Sequence, residues 1–428
     1  MFRNGTDRQR AFNSVKGDLT YKLNVMNGLK VAFPVSGRRR AFLGLSLAVT
    51  ATIGGVILLD PLPADRPATS PRVVTHAQSE RPSPQIKASP PVVVTLAPAI
   101  PSAATALDTD VRQLGDGFRG DVGIAVRDVQ TGWVSHYRGL DYFPQQSVSK
   151  LWVALSAFDL ADRGKLDLHG NLSVRADDLT LFHQPIKALA TRPGGFQTDR
   201  EDLLTRALTQ SDNSANDKML REVGGPSVIL ATLAEKAISG IRFGPGEKGL
   251  QSSIAGLDWQ ALFSRGDGFY SAREAVPIAD RRAAFDAYVA DPIDGARPSA
   301  MVDALARLKS GQLLSEASTA QMLDIMGHTR TGALRLKGGL RDGWTLSHKT
   351  GTGQILDGEQ AGYNDVGILV SPKGNAYAIA VMIGRTSQTL ETRMRLMQRV
   401  VAATIRYDDN LAVQRDTGAS KESASTAQ

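Results

Sequence analysis

Phe143-Pro144-Gln145-Gln146-Ser147-Val148-Ser149-Lys150 is the stretch from which the rest of this 428-residue chain is read. It closes a short extended run, His136 to Tyr142, and opens a helical pattern in which Leu151, Leu155 and Phe158 recur at the 3.6-residue period. Ser147 and Lys150 stand three apart, so on a first helical turn their side chains share a face. A serine hydroxyl is a poor nucleophile until a neighbouring base takes its proton, and a partly desolvated lysine can do that. The backbone N–H groups of a helix start can also stabilise an oxyanion forming beside the serine. A Ser-x-x-Lys pair says little by itself; its weight comes from what accompanies it.

Charge and composition remove several function classes. Residues 1–105 hold 13 Lys+Arg against 5 Asp+Glu, and the remaining residues 37 against 38, so the formal +7 belongs to the N-terminal segment. The rest of the chain is near neutrality and gives no reason to expect a nucleic-acid partner. With no cysteine there is no disulfide, thiolate nucleophile, thiolate metal site or acylated lipoprotein anchor. The six histidines show no H-E-x-x-H spacing, so neither a metal nor a cofactor is expected. G-x-S-x-G, the mark of an α/β-hydrolase nucleophile elbow, is also missing.

Residues 1–40 read as a cytoplasmic leader carrying the arginines Arg38-Arg39-Arg40, succeeded by the uncharged apolar run 41–59. Twin arginines ahead of Phe42-Leu43 resemble a twin-arginine export signal. The alternative is a membrane anchor, since 19 residues are just enough to span a bilayer. Either way, the chain beyond Leu59 is expected in the periplasm, exported or tethered to the inner membrane. Residues 60–105 hold 10 of the 20 prolines and read as an extended spacer. Residues 106–408 read as the catalytic domain, and 409–428 as a disordered tail.

Within that domain the order is two strands (Asp121–Val129 and Trp133–Arg138), a block of helices, then three strands (Thr345–Lys349, Gly362–Ser371, Asn375–Ile383) and a closing helix, Leu390–Ile405. Strands at the two ends must find each other across the helical block. The expected fold class is therefore α+β: an antiparallel sheet from N- and C-terminal strands, flanked by helices, with a mostly helical lobe inserted and a ligand cleft between sheet and lobe.

Two further motifs come after the first in chain order: Ser211-Asp212-Asn213 and Lys349-Thr350-Gly351. Together with Ser147-Val148-Ser149-Lys150 they resemble the signature of class A serine β-lactamases and penicillin-binding proteins. The resemblance covers roughly residues 110–408 and takes in Phe143-Pro144, Gly224-Gly225-Pro226, Thr331-Gly332, Gly343-Trp344 and Asn364-Asp365. Gln146, Asp217 and His348 look like the extended-spectrum, cephalosporin-hydrolysing branch. The resemblance implies that Ser147 attacks a lactam carbonyl and is acylated, with Lys150 sharing its activation. It implies that the N–H groups of Ser147 and Thr352 bind the oxyanion, and that Ser211 relays a proton to the departing nitrogen. Asn213 would hold the substrate's side-chain amide, Lys349 and Thr350 would bind its carboxylate, and Gly351, Thr352 and Gln251 would complete the substrate-binding set.

The segment Arg242-Phe243-Gly244-Pro245-Gly246-Glu247-Lys248-Gly249-Leu250-Gln251 resembles the family's deacylating loop, with Glu247 as the base and Gln251 helping to hold a water. It departs from the family in having Gln251 where Asn is usual, in its glycine content, and in lacking an evident internal Arg–Asp clamp. The long interval from Glu247 to Lys349 implies an insertion around Leu257 to Pro298. His348, Asp212 and Asp217 are expected to be structural. The reading is a monomeric serine β-lactamase conferring antibiotic resistance. A penicillin-binding DD-peptidase or serine esterase is the alternative, and a non-catalytic β-lactam or muropeptide sensor the third.

Overall fold

Ala376 to Ile383 reads Ala-Tyr-Ala-Ile-Ala-Val-Met-Ile, apolar on both faces, which suits a strand covered from two sides. The structure, a computed structural model that describes residues 102–425, places this strand (Ala376–Thr386) at the centre of a six-stranded antiparallel sheet. The order across the sheet is Val134–Tyr137, Val122–Asp128, Ala376–Thr386, Glu359–Val370 and Thr345–Thr352, with the short strand Ile355–Leu356 also paired to Glu359–Val370. Strands from the two ends of the described domain thus meet at the register Val122↔Ile383, Ala125↔Ala380 and Asp128↔Tyr377, as the antiparallel α+β expectation requires.

The two-residue alternation divides the core. Ala378, Ala380 and Met382 face a cluster with Leu151, Leu155 and Phe158 of the helix Lys150–Asp162, and with Met301 and Leu305 of Pro298–Lys309. Tyr377, Ile379, Val381 and Ile383 face the other way, against Val111 and Leu114 of the helix Ser102–Asp116 and Met397, Val400 and Val401 of the closing helix. The alanines on the first face let the lobe's helices approach the sheet closely.

Two boundaries differ from expectation. The helix Ser102–Asp116 starts inside the segment read as spacer, because Ala103, Ala104 and Leu107 are buried in the cluster that Tyr377 and Ile379 of the sheet share with the closing helix. The closing helix runs from Leu390 to Ser425, through the stretch expected to be a disordered tail. The insertion is ordered: residues 257–298 contain a 3₁₀ turn, Ala261–Ser264, the helices Gly268–Ala275 and Ile278–Ala290, and the strand Gly295–Ala296. The leader, the apolar run 41–59 and most of the spacer lie outside the described residues. Among the described residues no helix is long and apolar enough to cross a membrane.

Candidate active site

The segment that carries Ser147 is fixed before its helix begins. Phe143–Pro144 pairs with Gly295–Ala296, and Phe143 is fully buried. The Gln145 amide donates to Arg242 O at 2.9 Å and accepts from the Trp152 indole at 2.6 Å. Gln146 takes the left-handed conformation, φ 53°, which L-residues avoid. It is held there by three contacts: its N–H donates to Asp294 at 2.7 Å, its amide nitrogen to Tyr288 OH at 2.6 Å, and its amide oxygen accepts from Gln251 at 3.0 Å. A 3₁₀ turn, Gln146–Ser149, then leads into the α-helix at Lys150, so Ser147 sits in the tighter turn.

Lys150 is 1% exposed and is the hub of the site. Its Nζ lies 2.6 Å from Ser147 Oγ and 2.9 Å from Asn213 Oδ1, and it is ion-paired with Glu247. Two atoms that both hydrogen-bond one nitrogen are at most about 5–6 Å apart, so the Glu247 carboxylate and the Ser147 hydroxyl lie within one bridging water of each other. Glu247 opens the helix Glu247–Ile254 and is buried. Asp217 fixes that opening by accepting from the N–H of Glu247 at 2.8 Å and of Lys248 at 3.1 Å. Burial, and then the charge of Glu247, lift Asp217 to about 6 against the pull of those two N–H groups.

Ser211, another left-handed residue with φ 59°, turns the chain so that its hydroxyl accepts from Lys349 Nζ at 2.9 Å. Asp212 caps the next helix through Ala215 N and accepts from Ile186 N, while the Asn213 amide also donates to Leu181 O. Burial, reinforced by the charges of Lys150 and Arg335, pushes the Lys349 ammonium well below the usual lysine range. Thr350 Oγ1 meets Thr331 Oγ1 at 2.7 Å. Arg335 braces that strand and its neighbour, donating to Gly351 O and Thr352 Oγ1 on the one and to Asn364 O on the other. His348 stands behind it, with Nδ1 2.8 Å from Asp365.

These groups border a cleft of about 610 Å³ between sheet and lobe. Ser147, Ser211, Asn213, Gln251, Thr350 and Thr352 all line it, while Lys150, Glu247 and Lys349 are buried behind them. Gln251 does not project freely: it donates to Glu247 Oε2 at 3.3 Å as well as to Gln146, and its own oxygen accepts from Gln354. Among the described residues no group of three or more His, Cys, Asp or Glu is placed to hold a metal ion. The sequence reading missed Asp294 and Tyr288, whose partner Gln146 is well over a hundred residues away. It also missed Phe182, Arg273, Gln354 and Ile355 on the cleft wall. Only the spacing Phe269-Tyr270-x-x-Arg273, one face of a helix, hinted at a built feature. Arg242, at the start of the loop that carries Glu247, pairs instead with Asp291 of the inserted segment.

A sheet of this order, a helical lobe and a Ser–Lys–Glu centre between them define a serine hydrolase. The family model described as the β-lactamase enzyme family matches residues 106–407, and the chain belongs to that family, in its class A serine branch. Relatives include the β-lactamase VEB-1 of Pseudomonas aeruginosa, 27% identical over 62% of this chain and 78% of that protein. The extended-spectrum β-lactamase PER-1 of the same organism is 27% identical over 71% of this chain and 87% of its own length. Among solved structures, a β-lactamase from Chitinophaga pinensis is 25% identical with a TM-score of 0.57, covering 71% of this chain and 98% of that one. The TLA-1 extended-spectrum β-lactamase shares the fold at a TM-score of 0.59 and 22% identity, over 71% of this chain and 99% of that one.

Proposed function

We propose that this chain hydrolyses the β-lactam amide through an acyl-enzyme on Ser147, released by a water that Glu247 primes. The observation that carries this reading is the single nitrogen of Lys150 meeting Ser147, Asn213 and Glu247 at once. The Ser147 proton has a path into the Lys150–Glu247 pair as its oxygen attacks the lactam carbonyl. Ser211, bonded to Lys349, stands ready to pass a proton to the departing nitrogen. Lys349, with the hydroxyls of Ser211, Thr331 and Thr350, offers a hydroxyl-lined seat for the substrate carboxylate, whose negative charge would favour the protonated lysine. A carboxylate that is buried yet within a water of the nucleophile is what hydrolysis of the acyl-enzyme needs, and it favours a lactamase over a penicillin-binding protein that stays acylated. The names of the relatives, PER-1 in particular, support an extended-spectrum substrate range. The twin arginines and the apolar run 41–59 support action outside the cytoplasm, where such a protein would shield the cell wall machinery from antibiotic.

Purified full-length protein mixed with nitrocefin tests this. Sustained turnover of many equivalents is expected. One equivalent followed by silence would instead point to a penicillin-binding protein or a sensor.

A further inference from the structure

The inserted segment spans from one wall of the cleft to the other. Phe269 of its first helix, Gly268–Ala275, meets Phe182 edge-on at 5.2 Å between centroids, and Tyr270 meets it at 6.3 Å. Phe182 is itself on the cleft wall. The second helix, Ile278–Ala290, is tied to the sheet through Arg282, which reaches Asp357 at 2.8 Å and Glu359 at 2.7 Å. Between these attachments lies Arg273, which lines the same cleft as Ser147, Gln251, Gln354 and Ile355.

Arg273 has more donors than partners. Its guanidinium rests against the rings of Phe269 and Tyr270 at 5.7 and 5.4 Å. It forms no ion pair among the described residues, and its buried Nε has no hydrogen-bond partner. The other arginine on this cleft, Arg335, is occupied by two carbonyls and the Thr352 hydroxyl. A guanidinium packed beside aromatic rings, with its fork unused next to a cleft, is arranged to receive an anion.

Position decides which anion. Lys349, Ser211, Thr331 and Thr350 gather at one end of the cleft. Arg273 adjoins Gln354, Ile355 and Leu356, several residues further along the sheet edge, together with Ile254 and Ala255. On the reading that the chain hydrolyses β-lactams, the Lys349 end takes the carboxylate on the lactam ring system. The Arg273 end then faces the acyl substituent. We propose that Arg273 is a specificity-determining residue that selects β-lactams carrying a carboxylate, or a comparable anion, on the acyl side chain.

The test compares kcat/KM of the full chain for benzylpenicillin and for its α-carboxy derivative, in the native protein, Arg273→Gln and Arg273→Lys. The ratio of the carboxylated to the plain substrate should fall about tenfold in the Gln variant, the scale of one charged hydrogen bond, and stay near native in the Lys variant. Raising ionic strength should shrink the native ratio as well. That second measurement decides the matter even if the Gln variant folds poorly. A ratio unmoved by both charge removal and salt would overturn the proposal, as would equal losses on both substrates. If the native protein hydrolyses neither penicillin, the functional reading itself fails. If it hydrolyses benzylpenicillin and the ratio does not respond, only the role of Arg273 falls.

Discussion

The backbone N–H of Gln146 donates to Asp294 at 2.7 Å, so the residue before the nucleophile is held by a carboxylate at the end of the inserted segment. The other Asp294 oxygen accepts from Tyr288 OH at 3.0 Å, and the whole group is buried. This bond keeps Gln146 in a left-handed conformation that otherwise costs roughly 1–2 kcal/mol, and with it the geometry of the Ser147 turn. Asp294→Ala would leave two buried donors unpaired, an expected loss of about 2–4 kcal/mol accompanied by reduced turnover. Asp294→Asn keeps an acceptor for Gln146 and should lose far less of both. Urea unfolding of the two variants beside initial rates checks this; an alanine variant as stable and active as the parent would contradict it.

The same carboxyl sets a pH dependence. Burial, with a smaller push from the charge of Glu247, raises Asp294 from 3.8 to about 7, against the pull of Gln146 N–H and Tyr288 OH. The folded protein therefore keeps a proton to higher pH than the unfolded chain does. Between about pH 4 and 7 unfolding releases that proton, so this group's contribution to stability falls as pH rises, by up to about 1.4 kcal/mol per unit. Asp217, raised to about 6, acts in the same direction over a narrower window. Asp294→Asn should remove its share: the stability difference between variant and parent should shift in the variant's favour from about pH 4 to 7 and then level. Denaturation at several pH values reads this, and a difference independent of pH would refute it.

Gly351 offers a steric test of how tightly the sheet is docked to the nucleophile turn. A Cβ there would press on Gln145 O, closer than a methyl group can approach a carbonyl. Gly351→Ala should push the strand bearing Lys349 away from Ser147, at a cost of about 1–3 kcal/mol. Turnover should fall more than the folded fraction does. Retained activity with only a lowered Tm would show that the docking is looser than the contact implies.

The fold and the residues that gather at the cleft were legible in the sequence for different reasons. Three short motifs fixed Ser147, Lys150, Ser211, Asn213 and Lys349 because the chemistry restricts both residue type and spacing. The sheet was implied by the two-sided apolar run at Ala376–Ile383 and the need for the end strands to pair. Asp294, Tyr288 and Arg273 were not legible, since each acts through a partner distant in the chain or through a cleft that appears only once the insertion folds. The helix Ser102–Asp116 was hidden by the proline-rich spacer before it: its buried alanines carry little pattern of their own.

Release of Ser147 by a water that Glu247 primes is the step on which the proposed mechanism depends most. Glu247→Gln keeps the shape of the side chain and its place beside Gln251 but removes the base. After mixing with a penicillin, intact mass spectrometry should show one lactam mass added and persisting on Ser147, with turnover down at least about a hundredfold. An acyl-enzyme that clears from the variant as fast as from the parent would contradict that role.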